Sequence, residues 1–132
     1  MVKGINHIGI AVESIDETFA TWQKAFGAVM HGRDSAPEIG QNAALVSIGD
    51  TYFELMEPCG ENGPIPKFIA KKGEGVHHIS IWCGDLDEDV KTFEEAGLTL
   101  LGRDDKGGFL SPKGNHGILC EITNGYDPRK EI

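Results

Sequence analysis

Hydrophobic and polar residues alternate in two short segments of the chain, at residues 5–12 and 76–83. From residue 8 and from residue 79 onward every second position carries isoleucine, valine or cysteine, and the positions between carry mostly small or polar residues. A period of two is typical of a β-strand whose two faces meet different surroundings. We therefore predict one strand in each segment. The aliphatic side chains should pack on helices, while His7 and His78 lie on the opposite faces.

A helix is predicted directly after each of these strands. Ser14 with Glu17, and Asp85 with Glu88, have the spacing of a capping box, which satisfies free N–H groups at a helix start. An apolar stripe at helical spacing follows each cap. The stripes are Ile15, Phe19, Trp22 and Phe26 in the first helix, and Leu86, Val90 and Phe93 in the second. Gly27 and Gly97 are expected to end the two helices.

The chain repeats itself after about half its length. His7-Ile8-Gly9-Ile10 matches His78-Ile79-Ser80-Ile81 at an offset of 71 residues (78 − 7), and Gly32-Arg33-Asp34 matches Gly102-Arg103-Asp104 at an offset of 70 (102 − 32). Further strand-like runs follow each helix, at 28–31, 43–48 and 52–56, and at 99–101, 108–110 and 117–122. The pattern predicts an α+β fold built from a βαβββ unit used twice.

We predict a single domain over residues 1–132, divided into three parts. Module 1 takes about residues 1–58, a connector about 59–74, and module 2 about 75–125. The connector is rich in glycine and proline, but residues 64–72 can form a short helix, because proline suits a first helical turn. Its apolar residues, Ile65, Phe68 and Ile69, are expected to cover part of the core.

Four potential metal ligands fall on the strand faces turned away from the helices. They are His7, Glu54, His78 and Glu121, one histidine and one glutamate in each module. Two imidazoles and two carboxylates suit a divalent cation such as Co, Ni, Zn, Mn or Fe, and the residue types do not choose among these metals. If the two modules associate by symmetry, the four side chains can converge. Six-coordination would leave two positions for water or substrate, as in a catalytic site.

The other histidines and the cysteines are given plainer roles. His77 points away from His78 and is expected to pack or to support the ligands, and His31 and His116 lie near predicted strand ends or turns, where we expect them to be exposed to solvent. Cys59, Cys83 and Cys120 are expected to be small apolar core residues. No GxSxG, Walker or GxGxxG motif occurs, so nucleophilic catalysis has no support.

Composition narrows the class of partner. Twelve Lys and Arg against 21 Asp and Glu give a net charge of −9, which argues against a nucleic-acid surface. No apolar run approaches the roughly 20 residues of a membrane span, and the first residues lack a secretory signal pattern. Three cysteines without a CxxC pair favour reduced thiols and a cytoplasmic location. The expected partner is a small molecule, and four lysines (Lys67, Lys71, Lys72 and Lys113) are local cations for a phosphate-bearing one.

Several stretches of the chain resemble the vicinal oxygen chelate superfamily, which includes glyoxalases, bleomycin resistance proteins and dioxygenases. They are residues 7–12, 53–58, 63–69, 71–78, 111–113 and 117–121. Within it the chain looks most like the methylmalonyl-CoA epimerases. The resemblance implies a glyoxalase-like fold with paired βαβββ modules around a metal-containing cavity, and it matches His7, Glu54, His78 and Glu121 to the four ligand positions. It also implies an acyl-CoA substrate and a homodimer.

The same resemblance implies an epimerase mechanism. A base removes the proton next to the thioester carbonyl, and an acid returns a proton to the other side of the carbon. Glu121 and Glu54 are the candidates for these two catalytic roles. Some members of the family have a glutamate that acts as a base near the position of Ala43, where this chain has no carboxylate. The glycine-rich stretch at 104–108 is also shorter than is usual in such epimerases. Both departures affect the expected substrate.

Two alternatives share the fold. A glyoxalase I-type lactoylglutathione lyase would isomerise a hemithioacetal with the same ligand set. A drug-binding protein of the bleomycin-resistance type would use the cavity without metal and without catalysis. The presence of all four ligand residues argues against the second alternative.

Overall fold

The structure, a computed structural model, describes residues 1–125. The helices and strands follow the predicted order, βαβββ twice with a connecting helix between, so the predicted α+β fold is confirmed. The elements are β1 (Val2–Ala11), α1 (Ile15–Phe26), β2 (Val29–Ala36), a 3-10 turn (Pro37–Ile39), β3 (Gln41–Ile48), β4 (Thr51–Pro58), α2 (Pro64–Lys72), β5 (Gly75–Cys83), α3 (Leu86–Glu95), β6 (Leu100–Arg103), β7 (Gly107–Leu110) and β8 (Cys120–Thr123).

Several strands differ in length from the sequence expectation, and the structure gives the reason for two of them, β2 and β8. β2 runs on to Ala36, because residues without an apolar alternation still pair with β3 through the backbone. β8 starts at Cys120, three residues later than expected, because the preceding segment folds into turns in which the Gly117 N–H donates to the Pro112 carbonyl. Both differences arise from backbone hydrogen bonds, which the pattern of apolar and polar side chains does not reveal.

The described chain forms two compact units. The N-terminal unit is Ile8–His77, and the C-terminal unit joins Met1–His7 to residues 78–125. Strand β1 therefore contributes its first residues to one unit and its last residues to the other. The division into modules at about 1–58 and 75–125, within one domain, stays a prediction.

In the N-terminal unit the strands follow the order β2-β3-β4-β1, with β1 and β4 parallel and the other pairs antiparallel. Helix α1 covers one face of these strands, where Ile15 packs with Val46 and Leu55. On the opposite face Ile65 of α2 packs against Ala11 and Met56. The connector helix is thus a structural element of this unit, and its bounds are those predicted.

The C-terminal unit has the strand order β1-β5-β8-β7-β6, with β5 and β8 parallel. Its core lies between the strands and α3, where Leu86 and Val90 pack against Cys120 and Ile122. Ile79 and Ile81 belong to the same cluster. Since side chains alternate along a strand, His78 and Glu121 lie on the other face.

The predicted caps form at both long helices. The Ser14 side chain accepts a hydrogen bond from the Glu17 N–H, and the Asp85 side chain accepts one from the Glu88 N–H. Gly27 ends α1 in the left-handed conformation at φ 68°. Glu57 adds a cap that local sequence does not reveal, since its Oε1 accepts from the Ile15 N–H at 2.7 Å. Among the described residues no helix has the length and hydropathy to cross a bilayer.

Candidate metal centre

Two buried histidines face each other in the C-terminal unit. His7 of β1 and His78 of β5 are 8% and 4% exposed, and their Nε2 atoms lie 3.2 Å apart. Their rings meet edge to face, with centroids separated by 5.4 Å. The alternation of β1 and β5 turns both rings away from the helix-covered face, as the sequence predicts. The two residues are 71 positions apart in the chain.

The other nitrogen of His7 is held in place. Its Nδ1 lies 2.9 Å from the side-chain oxygen of Asn6, which accepts a hydrogen bond only from a protonated Nδ1. The proton on Nδ1 leaves the lone pair of a neutral imidazole on Nε2, the atom that faces His78. Burial lowers the pKa of His7 from 6.5 to about 4, so the ring is neutral at pH 7. A neutral imidazole with a fixed tautomer is the form that binds a metal.

Glu121 lies beside this pair on the same sheet face. Its Oε1 is 3.7 Å from Nε2 of His7, and the Ser80 hydroxyl donates to the same oxygen at 2.7 Å. Ser80 and Glu121 are directly paired between the parallel strands β5 and β8. The register thus orients the carboxylate, because a hydrogen bond from a neighbouring strand restricts its rotation.

The spacing of these donors fits a divalent cation. Two imidazole nitrogens bound to one cation at about 2.1 Å each, and about 100° apart, lie roughly 3.2 Å from each other. The Nε2 atoms of His7 and His78 have this separation. Two ligand atoms on opposite sides of such a cation would lie roughly 4.2 Å apart. Oε1 of Glu121 is 3.7 Å from Nε2 of His7, which is within this limit. The His7–His78 pair is therefore spaced to share a cation, and Glu121 lies beside His7.

Glu54 belongs to the N-terminal unit. It lies in β4 opposite Gly9, the residue two positions after His7, and is half-buried. Tyr52 and Met56 share its face, while Leu55 points into the core under α1. The predicted strand face of Glu54 is thus the one away from α1. Its place among the metal ligands stays a prediction, as do the catalytic roles of Glu54 and Glu121.

Sequence reasoning missed two residues of the site, Asn6 and Ser80. Asn6 precedes a candidate ligand, and a side-chain amide next to a histidine is a weak signal. Ser80 shares a strand face with His78, and it pairs with Glu121 only if β5 and β8 are parallel and in the observed register. The strand pairing, and not the local pattern, supplies this information.

His31 contradicts its expected position in solvent. It lies inside β2, half-buried, with Nε2 2.6 Å from the hydroxyl of Ser47 and its ring 5.4 Å from that of Tyr52. The expectation was wrong because β2 does not end at residue 31, as the apolar run at 28–31 predicts, but continues to Ala36.

The remaining histidines and cysteines lie mostly as expected. His116 is exposed in a turn, and His77 packs against Phe68 of α2 with ring centroids 5.0 Å apart. The pKa of His77 is lowered mainly by burial and to a smaller extent by the positive charge of Lys72. Cys83 and Cys120 are buried, whereas Cys59 is only half-buried.

Comparison with known proteins agrees with this arrangement. Residues 6–114 match the model of the Glyoxalase/Bleomycin resistance protein/Dioxygenase superfamily. The Bacillus subtilis (strain 168) protein YqjC is 30% identical over 125 residues, 89% of each chain. The ethylmalonyl-CoA/methylmalonyl-CoA epimerase of Cereibacter sphaeroides is 30% identical over 131 residues, covering 92% of this chain and 98% of its own.

A solved structure extends the similarity to the fold. A variant of Streptomyces coelicolor methylmalonyl-CoA epimerase in complex with 2-nitronate-propionyl-CoA superposes with a TM-score of 0.81 at 31% identity, covering 96% of this chain and 100% of that one. The chain belongs to the glyoxalase/bleomycin resistance/dioxygenase superfamily. Its relatives include methylmalonyl-CoA epimerases, and the similarity supports an epimerase-like enzyme.

Proposed function

We propose that this protein is a metal-dependent epimerase of methylmalonyl-CoA or a similar acyl-CoA. The observation that carries the proposal is the buried His7–His78 pair with converging Nε2 atoms and Glu121 beside it. The similarity to acyl-CoA epimerases over nearly the whole chain favours this chemistry over others available to the superfamily.

In the proposed site, His7, Glu54, His78 and Glu121 hold a divalent cation. When bound, such a cation supplies positive charge that stabilises the enolate formed next to a thioester. Asn6 keeps the His7 ring in its ligand tautomer, and Ser80 orients Glu121 through Oε1. Glu121 and Glu54 are the first candidates to carry the proton from and to C2. A carboxylate suits this role if one oxygen stays free to take the proton.

Two features of the protein suit an acyl-CoA. Phe109 pairs with Glu121 in the register of β7 and β8, lies 6.4 Å from the His78 ring, and is 37% exposed. This ring offers an apolar surface beside the candidate site for an acyl group. Lys71 and Lys72 in the last turn of α2 are cations available to the anionic phosphates of CoA.

The proposal is tested by proton exchange at C2. The cobalt-loaded protein is incubated in D2O with each pure epimer of methylmalonyl-CoA, and both inversion and deuterium incorporation are followed. We expect interconversion of the epimers with one deuterium incorporated at C2. Glu121→Ala should abolish interconversion of the epimers, because inversion needs both proton carriers, while the exposed control Glu94→Gln should keep the wild-type rate.

Two results would overturn the proposal. Wild-type protein that holds metal but exchanges neither epimer is not an epimerase of this substrate. If the same sample isomerises the hemithioacetal of methylglyoxal and glutathione, it is a glyoxalase I-type lyase instead. Unchanged interconversion of the epimers by Glu121→Ala would remove this residue as a proton carrier. A homodimer and a cytoplasmic location remain predictions.

A further inference from the structure

We propose that Phe109 and Leu101 form an apolar strip that binds the alkyl group on C2 of the substrate, and that this strip favours alkyl groups longer than methyl. The proposal rests on the epimerase function proposed above and deepens it, since it concerns the substituent that distinguishes one C2-alkyl malonyl thioester from another. The strip lies on the face of β6 and β7 turned away from α3, and both residues belong to the C-terminal unit.

Strand register places Phe109 on the same face as Glu121. The two residues are directly opposite each other in the antiparallel pair β7–β8, whereas the next pair, Leu110 with Cys120, packs in the core against α3. Side chains directly opposite each other have Cβ atoms about 4.5–5.5 Å apart. The Phe109 ring is therefore a neighbour of the Glu121 carboxylate, and its centroid lies 6.4 Å from that of the His78 ring.

Leu101 continues this apolar surface onto the next strand. It is directly opposite Phe109 in the antiparallel pair β6–β7, while Leu100 packs with the core on the other face. Adjacent strands are about 4.8 Å apart, so the two side chains form a strip that runs away from Glu121 towards the edge strand β6. A Cβ at Gly107 would collide with the backbone of β8, so no side chain at that position can narrow the strip.

Both side chains of the strip are accessible to a ligand. Phe109 is 37% exposed and Leu101 is 46% exposed, whereas Leu110 on the other face of β7 is 2% exposed. Contact with an alkyl chain removes such surface from water, which is favourable. The strip is thus an accessible apolar surface directly beside a proposed proton carrier.

The surroundings of Glu121 indicate which part of the substrate meets the strip. On the β5 side, its Oε1 accepts a hydrogen bond from Ser80, and the His78 imidazole lies on the same face. On the β7 side, its neighbour is the Phe109 ring. The carboxylate and the thioester of the substrate are polar and suit the β5 side, because a polar group placed against an apolar surface loses hydrogen bonds. The alkyl group therefore suits the β7 side.

The distances agree with this contact. A carboxylate that takes a proton from C2 must approach it to about 3 Å. The first alkyl carbon lies one bond, about 1.5 Å, beyond C2, and apolar atoms in contact are about 4 Å apart. A ring whose Cβ is about 5 Å from that of Glu121 is within reach of the first carbon. Leu101, one strand further on, is within reach of the third carbon, because the strand spacing of about 4.8 Å corresponds to three or four bonds.

The test varies the length of the alkyl group. Cobalt-loaded protein is supplied with methylmalonyl-CoA, ethylmalonyl-CoA and n-propylmalonyl-CoA, and kcat and KM for epimerisation are measured for each. Each CH2 fully removed from water raises affinity about fourfold, and contact on one side only gives about twofold. We therefore expect KM to fall about two- to fourfold per added CH2 with little change in kcat, because substrate and transition state make the same contact.

Two variants separate the contributions of the two residues. Leu101→Ala should leave KM for methylmalonyl-CoA within about twofold of wild type and should remove the gain from ethyl to n-propyl. Phe109→Ala should raise KM for all three substrates, because the ring contacts the first carbon. The matched control is Ile118→Ala, which truncates an aliphatic side chain that is 44% exposed in the turn before β8 and should keep the wild-type profile.

Three results would overturn the strip while leaving the proposed function intact. The first is a wild-type KM that stays constant or rises from methyl to n-propyl, in protein that epimerises methylmalonyl-CoA. The second is a Leu101→Ala profile equal to that of wild type. The third is a change of oligomeric state in Leu101→Ala, measured by sedimentation velocity, with the wild-type profile retained, since a second copy of the chain would then cover the strip. Wild-type protein that epimerises none of the three substrates would refute the proposed function, and this inference with it.

Discussion

Replacement of His7 tests the burial of a neutral imidazole at the candidate metal site. Burial lowers the pKa of His7 in the folded protein from 6.5 to about 4. Between these values the unfolded chain binds a proton that the folded chain does not, so acid favours the unfolded state. The free energy of unfolding of metal-free protein should therefore decrease as pH falls below about 6.5.

The size of this effect follows from the two pKa values. For one group that titrates at 6.5 when unfolded and at about 4 when folded, lowering the pH from 7 to 5 costs about 2 kcal/mol of stability. A further decrease to pH 4 brings the loss to roughly 3 kcal/mol. His77 adds to the loss in the same direction, since its folded pKa is also lowered.

The assay is guanidinium unfolding of chelator-treated protein at pH 7 and pH 5, for wild type, His7→Gln and His116→Asn. We expect His7→Gln to lose about 2 kcal/mol less stability than wild type between the two pH values. The exposed His116→Asn control should lose as much as wild type. An equal pH-dependent loss in wild type and His7→Gln would refute the reasoning, because it would mean that His7 titrates normally in the folded state.

Three further substitutions test other parts of the structure. Leu55→Ala, which empties a fully buried position under α1, should cost about 3 kcal/mol in chemical unfolding, and a cost below about 1 kcal/mol would contradict the packing. Ser80→Ala removes the hydrogen bond that orients Glu121, so it should weaken metal binding at least tenfold in a competition titration while changing the melting temperature of metal-free protein little. An unchanged metal affinity would mean that Ser80 does not support a ligand. Gly40→Ala should lower the melting temperature markedly, since a Cβ there would collide with the Asn62 carbonyl and φ is 74°; an unchanged melting temperature would contradict this contact.

Local signals in the sequence were sufficient for most of the elements and for the strand faces of the ligands. Ser14 and Asp85 cap helices because a side-chain oxygen three residues before an N–H needs only local backbone geometry. His7 and His78 turn away from the core because side chains alternate along any strand that buries its aliphatic face. The connector helix begins at Pro64 for an equally local reason, the fixed φ of proline.

Long-range pairing decided the partners within the site. Asn6 fixes the tautomer of His7, and Ser80 donates to Glu121 across 41 residues of chain, which depends on the register of two parallel strands. The sequence predicts a solvent-exposed His31 near a strand end, yet the pairing of β2 with β3, with its register shift between Met30 and Gly32, brings His31 to Ser47. Sequence periodicity indicates which face of a strand a residue occupies. It does not indicate which residue of a distant strand lies opposite, because register depends on the packing of the whole sheet.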